Sequence, residues 1–494
     1  SLGLVGSEMC IRDRYTPTKK RKFDTIRVGK PIKDLKKRLA AITYLDDVGA
    51  KFLWEVNAPM FTYSAELVPE IADSIIEIDN AMKWGFARDI GIFDAWDAIG
   101  VEKSVNKMKE ENRKVPSWVD EMLASGRKSF YEVIDGRLTY YCPVKKEVLV
   151  QETSDKTVNL NLYKNSKTML KRDWSASIHD IGDGVLNVEF HSIFVPAFNP
   201  IDQSIVGIVQ HALDLLDTGK YKGLVVGHQG KNWSAGANVN DFKMAIDSGN
   251  LQIMDAGVKE MQDLTQRIRH SQYPVVTCPF NLALGGGFEF YACSTHTIAA
   301  GELYAGLVEA IQGLIPGAGG HLRVLLNLIE NNDASNVNMN IARQAIELVN
   351  PLTVSRSAGD ALKKGWIRKS DTICMNSEHL LSLGKKKVLE LSDNGYQPPK
   401  YRDDLTLPGT ALRTMASVVT KGMKVAGKIS DHDELVASKS AYVLSGGDKG
   451  GLMSKVDEQH VLDIEREAFM SLAGEKKTQQ RIAHFLKTGK PLRN

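Results

Sequence analysis

Between Asn281 and Ser294 the sequence reads NLALGGGFEFYACS, an apolar run that meets three consecutive glycines and then helix-forming residues opening near Phe288. Few chain paths accept that order. A strand turning into a helix through Gly285, Gly286 and Gly287 leaves unhindered backbone N–H groups at a helix N-terminus, where the dipole favours negative charge. Such a turn suits a developing oxyanion. It equally lets a strand and a helix pack closely, and the residues alone leave both readings open. The surrounding chain alternates apolar strands at Val185 to Phe190, Leu224 to Gly227, Val275 to Cys278 and Thr297 to Ala299 with helical segments at 203–217 and 252–270. That alternation predicts an α/β core. A second loop of small residues, Ser234-Ala235-Gly236-Ala237, follows the strand at Leu224, and Asn238 stands where it can cap the next helix. Two such loops can each offer one backbone N–H; they can also be ordinary βα turns.

The flanks read differently. From about Leu35 to Gly100 the pattern is helical, with Ile71, Ile75, Ile78 and Met82 spaced to line one helix face. Asp135-Gly136, between the β-rich runs Ser129 to Ile134 and Leu138 to Tyr141, predicts a hairpin. Beyond about Ser355 the chain is helical again, interrupted by turn-rich segments at 393–409 and 445–451, and Val461, Ile464, Ala468 and Leu472 form an apolar stripe. The first fourteen residues, SLGLVGSEMCIRDR, resemble the translated read-through of a sequencing adaptor and are set aside from fold reasoning.

Composition excludes several classes. With 63 Lys+Arg against 60 Asp+Glu, the formal charge of +3 supplies no concentrated basic stripe for nucleic acid. No apolar run approaches the ~18 residues of a membrane span. Five cysteines without Cys-x-x-Cys spacing indicate neither a disulfide framework nor zinc and fit a reducing cytoplasm. None of the eleven histidines forms a His-x-x-x-His pair, so no metal is expected; His321, beside a glycine cluster, reads as a helix-start or pocket-wall residue.

Two acids stand out. Glu289 falls in the first turn after the glycines, where a carboxylate stabilises a helix start. Glu309 lies in YAGLVEAIQGLIPGAGG, among apolar and glycine residues, so it either faces solvent from a loop or is buried with a raised pKa and a task.

Taken together, Ser234-Ala235-Gly236-Ala237, LGGGFE at 284–289, Glu309 and IPGAGG at 315–320 resemble the enoyl-CoA hydratases of the crotonase superfamily in order and separation, over roughly 178–385. The resemblance implies an α/β fold with a crotonase-like ββα spiral core, flanked here by helical regions. It implies catalytic glutamates at Glu289 and Glu309, and oxyanion-hole amides at Ala237 and Gly286. It implies substrate contacts at Ala235, Gly236, Asn238, Gly285, Gly287 and Gly317. Gly286 is further expected to hold a backbone angle that only glycine tolerates. There are departures: Asn238 replaces the usual Asp, the segment 191–202 lacks the Lys or Arg that approaches the CoA phosphates, and a polar insertion at 330–340 is expected to reshape the acyl pocket.

The sequence at 78–100 resembles the helical C-terminal domain of 3-hydroxyacyl-CoA dehydrogenases, with Ile92 where that family usually has Pro. That at 462–494 resembles the carboxyl end of bacterial dehydrogenase–hydratase fusions of fatty-acid β-oxidation. No Gly-x-Gly-x-x-Gly opens a βαβ unit in the first hundred residues. The expected organisation is a truncated fusion without its N-terminal NAD-binding domain: 1–20 an artefact or unstructured extension, 21–174 a remnant of the dehydrogenase helical domain with a small β element, 175–390 the crotonase domain, and 391–494 a helical tail. The implied activity is hydration of 2-enoyl-CoA to 3-hydroxyacyl-CoA, with a CoA thioester as substrate, no cofactor, and NAD confined to the missing domain. A homo-oligomer and a thiolase partner follow by the same resemblance. Which glutamate is base and which acid stays open, because two close carboxylates titrate as a pair. Three rivals remain: the NAD-dependent dehydrogenase activity of the full fusion, a non-catalytic acyl-CoA-binding module, against which paired glutamates argue, and an enoyl-CoA isomerase, which typically keeps one of the two acids.

Overall fold

Strands of Val, Ile and Leu that bury both faces need helices on either side, and the chain supplies them in its larger half. The computed structural model describes residues 22–494 apart from 135–136, 153, 166, 351–352 and 452. The chain divides into two compact units, one ending at Glu152 and one spanning Thr153–Asn494.

In the first unit, helices run from Asp24–Gly29 to Ser117–Ala124 and lead into an antiparallel sheet of β1 (Tyr131–Ile134), β2 (Arg137–Cys142) and β3 (Glu147–Val150). β1 and β2 pair with Ile134 opposite Arg137, as a hairpin requires; the expected turn residues Asp135-Gly136 lie outside the described residues, as does the leader 1–20. The core is aromatic: Phe61 stacks on Trp96 at 5.2 Å between centroids, and Phe93 meets Phe130 edge-on at 5.1 Å. Ile71 does not join the predicted helix face. The helix begins at Ile75, capped by Ser74 and Glu77, and Ile71 lies in the preceding turn, 66% exposed. Ile92 opens the next helix, where Pro is also tolerated because the first N–H of a helix has no intrahelical partner.

In the second unit, seven strands form one sheet in the order β12-β10-β8-β7-β6-β5-β4. These are β4 (Met169–Arg172), β5 (Ala176–Asp180), β6 (Val185–Phe190), β7 (Gly223–Val226), β8 (Val275–Thr277), β10 (His296–Ala300) and β12 (Thr372–Cys374). β4, β5 and β6 pair antiparallel; from β6 to β12 every pairing is parallel. The parallel steps are crossed by the helices Gln203–Asp217 and Leu251–Arg269, close to the predicted spans. A smaller parallel pair, β9 (Asn281–Leu284) and β11 (Leu303–Gly306), lies outside this order. The α/β spiral expected from the resemblance is therefore present. The boundary expected near residue 174 falls within this unit, since β4 and buried Leu160 belong to it. Helices Thr410–Val425, Asp431–Leu444, Glu458–Ala473 and Lys476–Thr488 also belong to it, contributing Leu412, Val436, Val461, Leu472 and Ile482 to the core that holds Val185 and Leu224. The described cysteines, Cys142, Cys278, Cys293 and Cys374, are free and buried. No helix among the described residues is long and apolar enough to cross a membrane.

Candidate active site

The two glycine loops are stitched together by backbone. Ser234 N–H donates to the Leu282 carbonyl and Leu284 N–H to the Ser234 carbonyl, each at 3.0 Å, so the 234–237 loop runs beside β9 like a further strand. Gly236, at φ +105°, then turns the chain, and a Cβ there would lie 3.0 Å from the Leu284 carbonyl. Gly286 opens the helix Gly286–Ala292 directly across from Ala237: a Cβ on Gly286 would sit 3.2 Å from the Ala237 nitrogen. Among the described residues neither of these two N–H groups donates to a backbone carbonyl. Two adjacent, unspent amides at a helix start are a ready anion cradle. The left-handed angle belongs to Gly285, at φ +53°, and not to Gly286 as expected from sequence. The reason is positional: Gly286 is the first residue of the helix, and the reversal between strand and helix is completed one residue earlier.

The parallel pair delivers the acids. β9 and β11 run side by side with Leu284 opposite Gly306, and Gly285 N–H donates to the Gly306 carbonyl at 2.8 Å. Both strands thus end at the same place, and Glu289 follows one end while Glu309 follows the other, in a short 3-10 turn, Glu309–Gln312. The Glu309 carboxylate lies against the glycine loop, since a Cβ on Gly285 would be 2.8 Å from its Oε1; its Oε2 is buried and without a hydrogen-bond partner. Buried polar atoms are nearly always paired, so an unpaired carboxylate oxygen marks a group facing a site. Glu289 is 3% exposed, and its Oε1 accepts the Ala318 and Gly320 amides, both at 2.8 Å.

Burial dominates the electrostatics of this pair. It pushes the Glu309 carboxyl up to about 7, against the opposing pull of the Glu309 and Val308 amides and with a further rise from the charge of Glu465. It pushes Glu289 well above the carboxylate range, helped by the charges of Glu309 and Glu465 and opposed by the Ala318 and Gly320 amides.

All this opens on one cavity of about 620 Å³, whose walls include Ala235, Gly236, Ala237, Asn238, Gly285, Gly286, Glu289, Glu309 and Gly317. The remaining wall is largely apolar, from Val206, Phe242, Met254, Val258, Leu314 and Phe469 among others. The size is that of a small-molecule site.

Residues 180–347 match the family described as Enoyl-CoA hydratase/isomerase. This segment carries the sequence pattern of that family. Over 480 residues the chain is 37% identical to a Bacillus subtilis (strain 168) protein named "Probable 3-hydroxyacyl-CoA dehydrogenase", covering 97% of this chain and 59% of that one. It is 25% identical over 450 residues to a Rickettsia felis protein named "Putative fatty acid oxidation complex trifunctional enzyme", covering 90% of this chain and 54% of that one. The chain thus spans between half and two thirds of the length of these relatives. A solved enoyl-CoA hydratase from Rhodobacter sphaeroides overlays with a TM-score of 0.45 at 15% identity, covering 65% of this chain and 92% of that one.

The cavity gathers every residue predicted for the site except Gly287. That glycine is fully inside, where a Cβ would lie 2.6 Å from the Ser234 carbonyl, and it lets the helix pack on the neighbouring loop. Asn238 is the predicted cap, its side chain accepting from Asn240 N–H. None of 330–340 lines the cavity: Asn338 instead caps the helix Met339–Val349, and Asn336 ties to Asp404 and Thr406. His321 is no pocket wall. It is fully buried, and its Nδ1 lies 2.7 Å from Glu465 Oε2. Sequence reasoning missed Glu465 and Phe469, both on the helix Glu458–Ala473. A signal existed for the first: Glu465 falls four residues after Val461, three before Ala468 and seven before Leu472, on the buried stripe itself.

A stability test follows from Glu309. In the unfolded chain its carboxyl ionises near 4.5, in the folded chain near 7. Between those values the folded state binds more protons, so stability falls as pH rises and stays lower above about 7. Glu309→Gln is therefore expected to raise the Tm by roughly 2–4 °C at about pH 8.5 and by little at about pH 5. Scanning calorimetry at the two pH values checks this; an equal change at both contradicts the raised carboxyl.

Proposed function

We propose that this chain hydrates 2-enoyl-CoA thioesters to 3-hydroxyacyl-CoA in fatty-acid β-oxidation. The observation that carries the reading is the convergence of two buried carboxylates and two unspent amides on one cavity. Hydration needs those parts. A carboxylate takes a proton from water as its oxygen bonds to C3; the C2–C3 π electrons pass toward the thioester oxygen, whose charge the Ala237 and Gly286 N–H groups receive; the second acid then gives its proton to C2. The carboxyl near 7 is suited to exchanging protons in the neutral range. No redox step occurs, so the reaction calls for no cofactor. Double-bond migration, the isomerase reaction, uses one proton-shuttling acid, and the presence of both favours hydration.

The name of the Bacillus subtilis relative favours a second activity, dehydrogenation of the product with NAD, for a protein of that length. One assay separates the two. The purified chain, mixed with a short 2-enoyl-CoA, is expected to bleach the conjugated-thioester absorbance equally with and without NAD, and to form no NADH. Persistence of that absorbance would refute hydratase function; NADH formation would place dehydrogenase activity in these residues.

A further inference from the structure

The four consecutive amides of Ala318, Gly319, Gly320 and His321 point alternately to two carboxylates. Ala318 and Gly320 donate to Glu289 Oε1, both at 2.8 Å; Gly319 donates to Glu465 Oε1 at 2.6 Å and His321 to Glu465 Oε2 at 2.9 Å. The alternation depends on Gly319, whose φ of +100° reverses the chain at the start of the helix Gly320–Asn331. Gly320 has no room for a side chain either: a Cβ would lie 2.6 Å from Pro316 and 2.9 Å from Glu289 Oε1. Glu465 is fully buried and reaches this turn from the helix Glu458–Ala473, beyond the matched segment 180–347. We propose that Glu465 is a positioning residue of the active site: by clamping the Gly319 and His321 amides from behind, it holds the Ala318 and Gly320 amides in line with Glu289.

The surroundings of Glu465 fit that task. His321 Nδ1–H donates to its Oε2, and the other ring nitrogen shares a 2.8 Å hydrogen bond with the Ser440 hydroxyl, which fixes the ring. From the Leu251–Arg269 helix, Gln262 donates to the Gly317 and Leu462 carbonyls, joining the turn to the same helix that carries Glu465. Cations on the helices Glu458–Ala473 and Gly320–Asn331 engage other groups: Arg466 of the first pairs with Asp255, and Arg323 of the second donates to Gln266. Glu465 therefore meets two backbone amides and an imidazole, and its charge acts on the two site carboxylates, while Asp202 and Asp241 face the cavity from its other walls. Its negative charge stands behind Glu289 and Glu309 and favours their protonated forms. The activity readout rests on the hydratase reading; the clamp itself does not.

Glu465→Gln keeps the size, removes the charge, and turns an NH2 toward an amide that needs an acceptor. The expected result is a fall in kcat of at least ~10-fold with KM within ~3-fold, and an alkaline limb of the pH–rate profile moved to lower pH, because a like charge has gone. Glu465→Asp, which keeps the charge but retracts it by one methylene, is expected to lose turnover and retain the wild-type limb. Wild-type kcat and pH profile in Glu465→Gln, even with a lowered Tm, would overturn the proposal. If Glu465→Gln does not fold, wild-type kcat in Glu465→Asp does the same. Should the unaltered chain hydrate nothing, the hydratase reading fails separately. The clamp is then read from ¹³C-carboxyl titrations of Glu289 and Glu309, whose midpoints are expected to drop in Glu465→Gln and whose constancy would overturn it.

Discussion

Glu289→Gln and Glu309→Gln are each expected to lower hydration turnover by ~10²–10⁴-fold while the chain stays folded. The range corresponds to about 3–5 kcal/mol of lost transition-state stabilisation. Glutamine at 289 can keep its carbonyl oxygen on the Ala318 and Gly320 amides, so the turn retains its acceptor and only the proton chemistry is lost. At 309 the exchange removes a carboxylate oxygen that has no partner in the protein, so nothing structural depends on it. The two effects are expected to be non-additive, the double variant being little worse than either single one, because base and acid act on the same substrate in one sequence. Steady-state rates on a 2-enoyl-CoA, with circular dichroism to verify folding, provide the measurement. Turnover within a few-fold of the unaltered chain in either variant removes that glutamate from the chemistry.

Gly286→Ala is expected to cost ~10²–10³-fold in turnover with little change in Tm. Gly286 has an ordinary helical backbone, so alanine introduces no torsional strain there, in contrast to Gly285. What alanine introduces is a methyl 3.2 Å from the Ala237 nitrogen, in the space a thioester oxygen would need to receive both amides. Gly286→Val adds bulk in the same direction and is expected to abolish turnover. The contrasting account, in which the glycine only lets strand and helix pack, predicts that stability falls first and activity in proportion. Single-turnover hydration and thermal unfolding on the same variant distinguish them, and a proportionate loss of both would leave the amide pair without a role.

Local pattern carried a good part of this architecture. The span 203–217 was readable because apolar residues recur at helical spacing and Asp202 caps the start, its side chain accepting from Ile205. Glu289 and Glu309 pair only through the family resemblance, since the residues alone leave each open between a structural and a catalytic reading. The Ile71 assignment went astray because a helical spacing was extended across a turn, and the start was instead set by the capping pair Ser74 and Glu77. The left-handed residue was placed one position late because the three glycines are indistinguishable in composition, and only the hydrogen bond from Gly285 to Gly306 decides which one turns. Glu465 was hidden for another reason. Its partners, Gly319 and His321, lie 146 and 144 residues away, and an acid on an apolar stripe signals burial without showing which donors face it.

The Glu458–Ala473 helix also bears on how the chain can be divided. The signature residues all lie within 234–320, yet one wall of the cavity is Phe469, which stacks edge-on with Phe242 at 5.8 Å and whose ring would lie 3.1 Å from a Cβ on Gly317. A gene fragment cut at residue 347, where the recognisable segment stops, would encode every diagnostic motif and still lack a side of the pocket and the acceptor behind its central turn. Transplanting the reaction into another scaffold, or trimming the gene to its hallmark, has to carry the last hundred and fifty or so residues along.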